Sequence, residues 1–329
     1  GFYAERSHRI VPVMRCPIHP YWAEQVIAAF SAYMEECGVR GYNEVDGSGD
    51  LRHIVVREVE GNFIVTAVTA KNSLPYADRL AAQLKEKFKS FALWQNVNDG
   101  SGNGVFGKTF RLLYGERRFA GHECGVRFEA GPNTFLQVNR SVCRKLYERT
   151  ARCALECGAE VAIDAYSGGG LLTAMLAKQV GKAYGIEVVA EASECANGLI
   201  EPNKLEGKMV NICGRVEEKL PEILHNTLAD KAFLVVDPPR KGIDRGTLKA
   251  ILQSKIPHVA MISCSPASMA RDVGILTGAL AETGGELKKN PAYIQGGLPG
   301  YYSVESVQPF DMFPQTKHVE TLVLLSKNS

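Results

Sequence analysis

The sequence predicts an α/β protein: a doubly wound, mostly parallel, Rossmann-like sheet preceded by a smaller α+β domain. Three observations predict it. From Asn139 onward strand-like and helix-like segments alternate, the pattern of a parallel sheet with crossover helices. Three of those strands run into polar or reactive groups, Ser167-Gly168-Gly169-Gly170, Asp237-Pro238-Pro239-Arg240 and Ser263-Cys264-Ser265-Pro266, and open α/β sheets bind ligands at that C-terminal edge. Ahead of residue 120 the order is mixed, with two β-rich runs around Glu60-Gly61 that read as a hairpin.

In chain order the reading begins with a strand at Ile10 to Val13, a helix from Tyr21 to Cys37, and strands His53 to Glu58 and Asn62 to Thr69. Leu74 to Phe88 carries apolar residues at helical spacing, with Pro75 in its first turn, where a missing N–H costs nothing. A polar, glycine-rich stretch from Asn96 to Gly104 precedes short strands at Thr109 to Tyr114 and Val126 to Glu129. The second part reads as helix Ser141 to Glu156, strand Glu160 to Ala165, helix Leu171 to Val180 and strand Lys182 to Glu187, then strands Phe233 to Val236, Val259 to Ile262 and Thr321 to Leu325. We place the boundary between domains at residues 125 and 126.

The chain has 329 residues, 45% hydrophobic and 22% charged, enough for two separate cores. Its apolar runs stop well short of the ~20 residues a bilayer span needs, and it carries no charged-then-apolar leader. A soluble, cytoplasmic, monomeric protein is expected. The nine cysteines include no C-x-x-C pair, so neither a metal site nor an iron-sulfur cluster is expected, and the thiols are expected free. A formal charge of +2 announces no polyanion partner by itself. Basic residues do gather at Arg6, His8, Arg9 and Arg15, at Arg117 and Arg118, along Arg140, Arg144, Lys145, Arg149 and Arg152, and at Arg240, Lys241 and Arg245. Such clusters are either phosphate-tracking surfaces or solvated helix faces.

The motifs carry more. Glycines after Tyr166-Ser167 let backbone approach a ligand closely, but the spacing is not G-x-G-x-x-G and no phosphate-loop lysine follows, which disfavours dinucleotides and nucleoside triphosphates. Glu187, ending the next strand, can accept hydrogen bonds from both hydroxyls of a ribose, and the glycine turn with this acid suits S-adenosylmethionine. In Asp237-Pro238-Pro239-Arg240 the prolines force a rigid strand exit and hold the aspartate at the sheet edge. A cysteine at a strand end is ordinarily a small core residue. Cys264, at the mouth of a buried strand and beside Ser263 and Ser265, is read here as the reactive thiol.

Five motifs occur in one order: Phe135-Leu136-Gln137-Val138-Asn139, the turn from Asp164 to Gly170, Asp237 to Gly242, Ser263 to Pro266 with Ala270-Arg271-Asp272, and Phe310 to Pro314 with His318-Val319-Glu320. Together they resemble the RNA uracil-C5 methyltransferases, which make 5-methyluridine in transfer or ribosomal RNA, and the resemblance runs over nearly the whole chain. It implies a methyltransferase domain over 126–329 and an RNA-contacting domain over 1–125. It further implies that Gln137, Tyr166, Glu187 and Asp237 bind S-adenosylmethionine, that Cys264 is the nucleophile and that Glu320 is the base; Phe135, as aromatic support for an extruded uridine, and Arg240 are expected to meet the RNA. The stretch from Phe310 to Glu320 is more similar to the branch acting on 23S ribosomal RNA than to that acting on transfer RNA. Many relatives also carry an RNA-binding β-barrel and a cluster-ligating cysteine set; this sequence has the signature of neither.

The chemistry agrees with those roles. Carbon 5 of uracil is too weak a nucleophile to take a methyl group directly, so a thiolate must first add at carbon 6, and a base must later remove the carbon 5 proton. Two alternatives stand beside this reading: an amino-group methyltransferase, whose D/N-P-P motif usually ends in an aromatic residue where this chain has Arg240, and a non-catalytic protein that binds S-adenosylmethionine or RNA. The sequence departs from the family pattern at Ser265, at Ser167 and at Arg215, which stands where an acid or amide commonly meets the adenine.

Overall fold

The computed structural model describes residues 1–329 except 6, 8, 101–103, 228, 284, 285, 295–300 and 329; the basic residues Arg6 and His8 therefore lie outside the described residues. The chain divides into two compact units, one of residues 1–121 and 129–134, the other of residues 122–128 and 135–329.

The first unit opens with the short strands β1 (Phe2–Tyr3) and β2 (Ile10–Val11), which pair antiparallel. β2 stops at Val11 instead of running to Val13 because Pro12 has no N–H to give a ladder. Its main body is a four-stranded sheet in the order β3 (Leu51–Val59), β4 (Asn62–Thr69), β5 (Phe91–Val97), β6 (Thr109–Tyr114). The hairpin between β3 and β4 turns at Glu60 and Gly61, both with positive φ (50° and 80°), the geometry of a tight two-residue turn. β4 and β5 are parallel, and α2 (Ala77–Lys87) makes the crossover between them. This helix starts later than its periodicity suggests, because Tyr76 takes a left-handed conformation (φ 50°) and the Pro75 carbonyl accepts the phenol of Tyr33. Alternation sorts the sheet residues. Val65, Ala67, Phe91 and Leu93 pack with Val26, Phe30 and Tyr33 of α1 (Tyr21–Cys37) and with Leu80 and Leu84 of α2, whereas Ile64, Thr66, Ala92 and Trp94 face the other way. Buried amides fasten the described residues of the polar stretch after β5. Asn96 donates to the carbonyls of Gly107 and Thr109, and Asn98 donates to those of Gly104 and Val105.

β7 (Phe119–Glu123) and β8 (Val126–Ala130) form a two-stranded sheet whose residues are shared between the units. The second unit then alternates α3 (Arg140–Glu156), β9 (Val161–Ala165), α4 (Leu171–Ala177), β10 (Lys182–Glu187), α5 (Ala190–Asn197), β11 (Met209–Cys213), α6 (Val216–His225), β12 (Ala232–Val236), α7 (Arg245–Gln253), β13 (His258–Ser263) and α8 (Pro266–Leu276). The pair β14 (Leu280–Thr283) and β15 (Glu286–Lys289), the short α9 (Pro291–Ile294), β16 (Tyr302–Phe310) and β17 (Glu320–Lys327) complete it. α4 ends before Val180 because the N–H groups of Gln179 and Val180 both converge on the Leu176 carbonyl in a tightening last turn.

Seven strands make one sheet in the order β11-β10-β9-β12-β13-β17-β16. The first five are parallel, and β17 and β16 are antiparallel to their neighbours. β12 is buried at all five positions and β13 at five of six, as expected of strands covered on both faces. Ile163, Ile186, Leu234, Val236, Val259, Met261, Val323 and Leu325 fill the core. Strand order reverses between β9 and β12, which opens the crevice where such sheets take ligands.

Candidate active site

Across this sheet, β10, β9, β12, β13 and β17 lie side by side, and each brings a functional group to the same edge. In that order they are Glu187, Asp164 with the turn from Tyr166 to Gly170, Asp237, Cys264 and Glu320. The first four sit at or just past strand C-termini; Glu320 starts β17, which runs the opposite way.

The glycine turn is held by its neighbours. Tyr166, Gly168 and Gly170 have φ of 67°, 53° and 78°. A Cβ on Gly170 would lie 2.5 Å from that of Ala196, whereas Gly168 and Gly169 face open space, a ledge that a ligand can approach. Glu187 clamps the ledge, one carboxylate oxygen accepting the Gly168 N–H at 2.9 Å and the other the Val189 N–H at 2.7 Å; each oxygen keeps further acceptor capacity. Tyr166 is tied by its phenol to Asp244 at 2.9 Å, and Asp244 also caps α7 through the Thr247 N–H. Beneath the turn, Asp164 is 3% exposed and takes the Thr173 hydroxyl at 2.6 Å. Burial pushes its carboxyl up to about 7, against the pull of the Thr173 hydrogen bonds and with some help from Glu187.

Asp237 follows β12, its N–H directed at the Ala165 carbonyl of β9. Burial, then the nearby Glu320 and Asp164, push its carboxyl up to about 8. Glu320 is itself 8% exposed, and burial raises its carboxyl too. Three acids therefore crowd one edge, and Glu320 and Asp164 make ionisation of Asp237 harder. The loop after Asp237 is fastened to α8. Asp272, buried in α8, accepts the Ile243 N–H at 2.8 Å, and Arg271 donates to the Lys241 carbonyl at 2.9 Å. Gly242 (φ 84°) leaves room for this pair, since a Cβ there would meet the Arg271 guanidinium at 2.3 Å and the Asp272 carboxylate at 2.4 Å.

Cys264 is half-buried and free. It lies between the end of β13 and the first turn of α8, which Ser265 caps through the Ser268 N–H and Pro266 begins. The last pair of the β13–β17 ladder is Ser263 with Thr321; Cys264 follows the one and Glu320 precedes the other, so the ladder brings two segments far apart in sequence to the same end of the sheet.

Gln137 reaches this edge through a residue the sequence reading missed. Its side chain bonds the phenol of Tyr147, on which the charges of Asp237 and Asp164 also act, and burial holds that phenol well above its usual range. Asn139 caps α3 by accepting the Val142 N–H. Phe135 is 76% exposed, and Arg240 is exposed with its carbonyl accepting the Ser268 hydroxyl at 2.9 Å; neither side chain is drawn into the acid cluster. Arg215 is exposed, stands just before α6 without a side-chain capping bond, and pairs with Glu217. Among the described residues no group of three or more His, Cys, Asp or Glu could hold a metal, and no helix is long and apolar enough to cross a membrane.

Residues 116–281 match the family model described as tRNA (Uracil-5-)-methyltransferase. Over 330 residues the chain is 33% identical to an uncharacterized RNA methyltransferase of Clostridium acetobutylicum, covering 99% of this chain and 67% of that protein. The chain belongs to the tRNA (uracil-5-)-methyltransferase family. An uncharacterized RNA methyltransferase of Listeria monocytogenes serotype 4b is likewise 33% identical, over 331 residues, covering 100% of this chain and 68% of that one. Among solved structures, the Pyrococcus abyssi tRNA (uracil-54, C5)-methyltransferase in complex with S-adenosyl-L-homocysteine superposes with a TM-score of 0.74 at 23% identity, over 96% of this chain and 70% of that one. The fold is that of S-adenosylmethionine-dependent methyltransferases, as the sequence predicts, and the chain is an RNA methyltransferase of the uracil-5 family.

Proposed function

We propose that this enzyme converts a uridine of RNA to 5-methyluridine, with Cys264 as nucleophile and Glu320 as base. The observation that carries the reading is that Cys264, just past the end of β13, and Glu320, the first residue of β17, flank the last pair of the β13–β17 ladder, on the same sheet edge as Asp237 and the Tyr166 to Gly170 turn. S-adenosylmethionine fits the donor set around them: the open ledge over Gly168 and Gly169 admits close approach, Glu187 keeps acceptor capacity for ribose hydroxyls, and a cationic ligand relieves the repulsion among Asp164, Asp237 and Glu320. Gln137 and Tyr166 complete that group of residues, Tyr166 from the turn and Gln137 beside Tyr147.

The bonds are made and broken as follows. The Cys264 thiolate forms a carbon-sulfur bond to uracil carbon 6, and the π electrons of the 5,6 double bond move onto the carbonyl oxygen of carbon 4 as an enolate. S-adenosylmethionine would supply the methyl group as a sulfonium electrophile, carbon 5 forming the new carbon-carbon bond as the methyl-sulfur bond breaks and S-adenosylhomocysteine leaves. Glu320 then takes the carbon 5 proton, the freed pair restores the double bond, and the bond to Cys264 breaks. A carboxyl whose affinity for protons is raised by burial is the better base for that step. Phe135 and Arg240, both exposed, are assigned to the RNA, Phe135 as a stacking surface for an extruded base. Methylation of an amino group would need neither Cys264 nor Glu320.

The similarity of Phe310 to Glu320 to the ribosomal branch leads us to assign the substrate as 23S ribosomal RNA. Incubating the protein with labelled S-adenosylmethionine and either ribosomal or transfer RNA, then digesting to nucleosides, tests both parts. Labelled 5-methyluridine from ribosomal RNA is expected. The same nucleoside from transfer RNA alone would move the substrate assignment, and a labelled amino-methylated base would overturn the mechanism.

A further inference from the structure

The four-stranded sheet of the first unit carries a cluster of unanswered hydrogen-bond donors on the face turned away from α1 and α2. Thr66 and Trp94 are direct neighbours in the β4–β5 ladder, and Arg57 lies one row along on the same face. The Trp94 indole N–H, the Thr66 hydroxyl and one Arg57 nitrogen are buried with no partner, although Trp94 is only 6% exposed and Thr66 not at all. Buried polar atoms are rarely left so, and each calls for an explanation.

A cavity of about 210 Å³ opens at this place, lined by Trp94, Phe110, Arg117, Arg118, Asn133 and the Gly131-Pro132 turn. Its walls are braced. Gly131 donates to the Thr134 hydroxyl at 2.9 Å, and the Thr134 carbonyl accepts the Arg57 Nε–H. Neither Arg117 nor Arg118 has an ion-pair or hydrogen-bond partner among the described residues. The arginines of α3 differ: Arg140 and Arg144 both engage Glu123, and Arg149 engages Glu156. Of these clusters, the 117–118 pair is the one whose charge is left uncompensated beside a cavity.

Arg117 and Arg118, both exposed and among the lining residues, bring two guanidiniums that only donate, and a cavity of this size beside them suits a tetrahedral oxyanion. We propose that it seats a phosphodiester of the RNA substrate, held by Arg117 and Arg118 beside the Trp94 side chain. The proposal rests on the RNA reading above, and adds to it a specific anchor in the first unit.

The test exploits the presence of only two tryptophans, Trp22 and Trp94. In the ¹⁵N-labelled protein two indole N–H signals are expected, assigned with W22F, and each is followed during titration with a uridine-containing single-stranded RNA and, separately, with inorganic phosphate. RNA should move the Trp94 signal and leave Trp22 in place. The change R117Q/R118Q, at two exposed positions that leave the core intact, should abolish the movement, weaken RNA binding about tenfold and lower the salt dependence by roughly one phosphate contact, ~0.7 in the logarithmic slope. RNA that binds and is methylated while the Trp94 signal stays fixed overturns the cavity assignment and leaves the uridine reading standing. Movement with phosphate but not with RNA overturns the RNA source in favour of a free anion. A protein that neither binds nor methylates any RNA overturns the reading beneath both.

Discussion

The edge of the seven-stranded sheet and the outer face of the four-stranded sheet both concentrate polar groups, but of opposite sense. At the edge, Asp164, Asp237 and Glu320 are acids whose carboxyls are all held above their usual range by burial, and for Asp237 also by one another. On the outer face, Arg57, Trp94, Arg117 and Arg118 offer donors with too few acceptors. A site short of positive charge suits a sulfonium, and a site short of acceptors suits a phosphate. Net charge, only +2 over the whole chain, therefore says little about partners when acids gather in one unit and donors in the other.

The largest expected effect lies at the acid-lined edge. Cys264→Ala removes the only atom proposed to bond carbon 6, so it should abolish 5-methyluridine formation while leaving S-adenosylmethionine binding within twofold of the parent; calorimetry and nucleoside analysis read the two separately. Retained turnover would remove the nucleophile from the account. Next in size, Glu187→Ala and Asp237→Ala each delete a partly buried acceptor and should weaken cofactor binding by on the order of 1–3 kcal/mol. Glu187 also anchors the Gly168 N–H, so its loss should loosen the turn as well. Unchanged affinity in both variants would detach the cofactor from this edge.

Much of this edge was legible in the sequence because its parts are local. A strand followed by glycines, a strand followed by Asp-Pro-Pro and a strand followed by Cys-Ser-Pro each announce themselves within ten residues, and helix and strand periods alternate cleanly from Asn139 on. What escaped is tertiary. Tyr147 reads as an ordinary helix aromatic, and only packing brings it to Gln137 and the acids. Arg271 and Asp272 are visible as a motif, but their work in pinning the Gly242 loop depends on two elements meeting. Glu320 reads equally well as an exposed residue near the last strand; the ladder register makes it the buried first residue of β17. The donor-lined cavity is harder still to read, since Trp94, Arg117 and Asn133 belong to separate loops and strands with no shared motif.

A smaller effect follows from pH. Asp237 and Asp164 hold protons more tightly in the folded chain, up to about 8 and about 7, than at the ordinary carboxylate value near 4. The folded state therefore binds more protons than the unfolded state between those limits, and stability from these groups is present below about pH 4 and lost as pH rises through 7 to 8. Asp237→Asn should match the parent near pH 4 and melt higher than it at pH 8.5 without cofactor. Because Asp237 is only partly buried by exposure, solvent moderates the difference, and a few degrees are expected in a thermal scan. An equal shift at both pH values would mean that the acid cluster is not what sets the pH response.

The covalent chemistry at Cys264 and Glu320 is tested most directly by Glu320→Gln with labelled S-adenosylmethionine and substrate RNA on a denaturing gel. The variant keeps the shape of the side chain but cannot take the carbon 5 proton, so addition and methylation should proceed and elimination should stall. A protein-RNA species is expected that survives denaturation, carries the methyl label, disappears on nuclease treatment and is absent when Cys264 is also replaced. Normal turnover by Glu320→Gln with no trapped species would contradict it, and the base would have to be sought elsewhere on the edge.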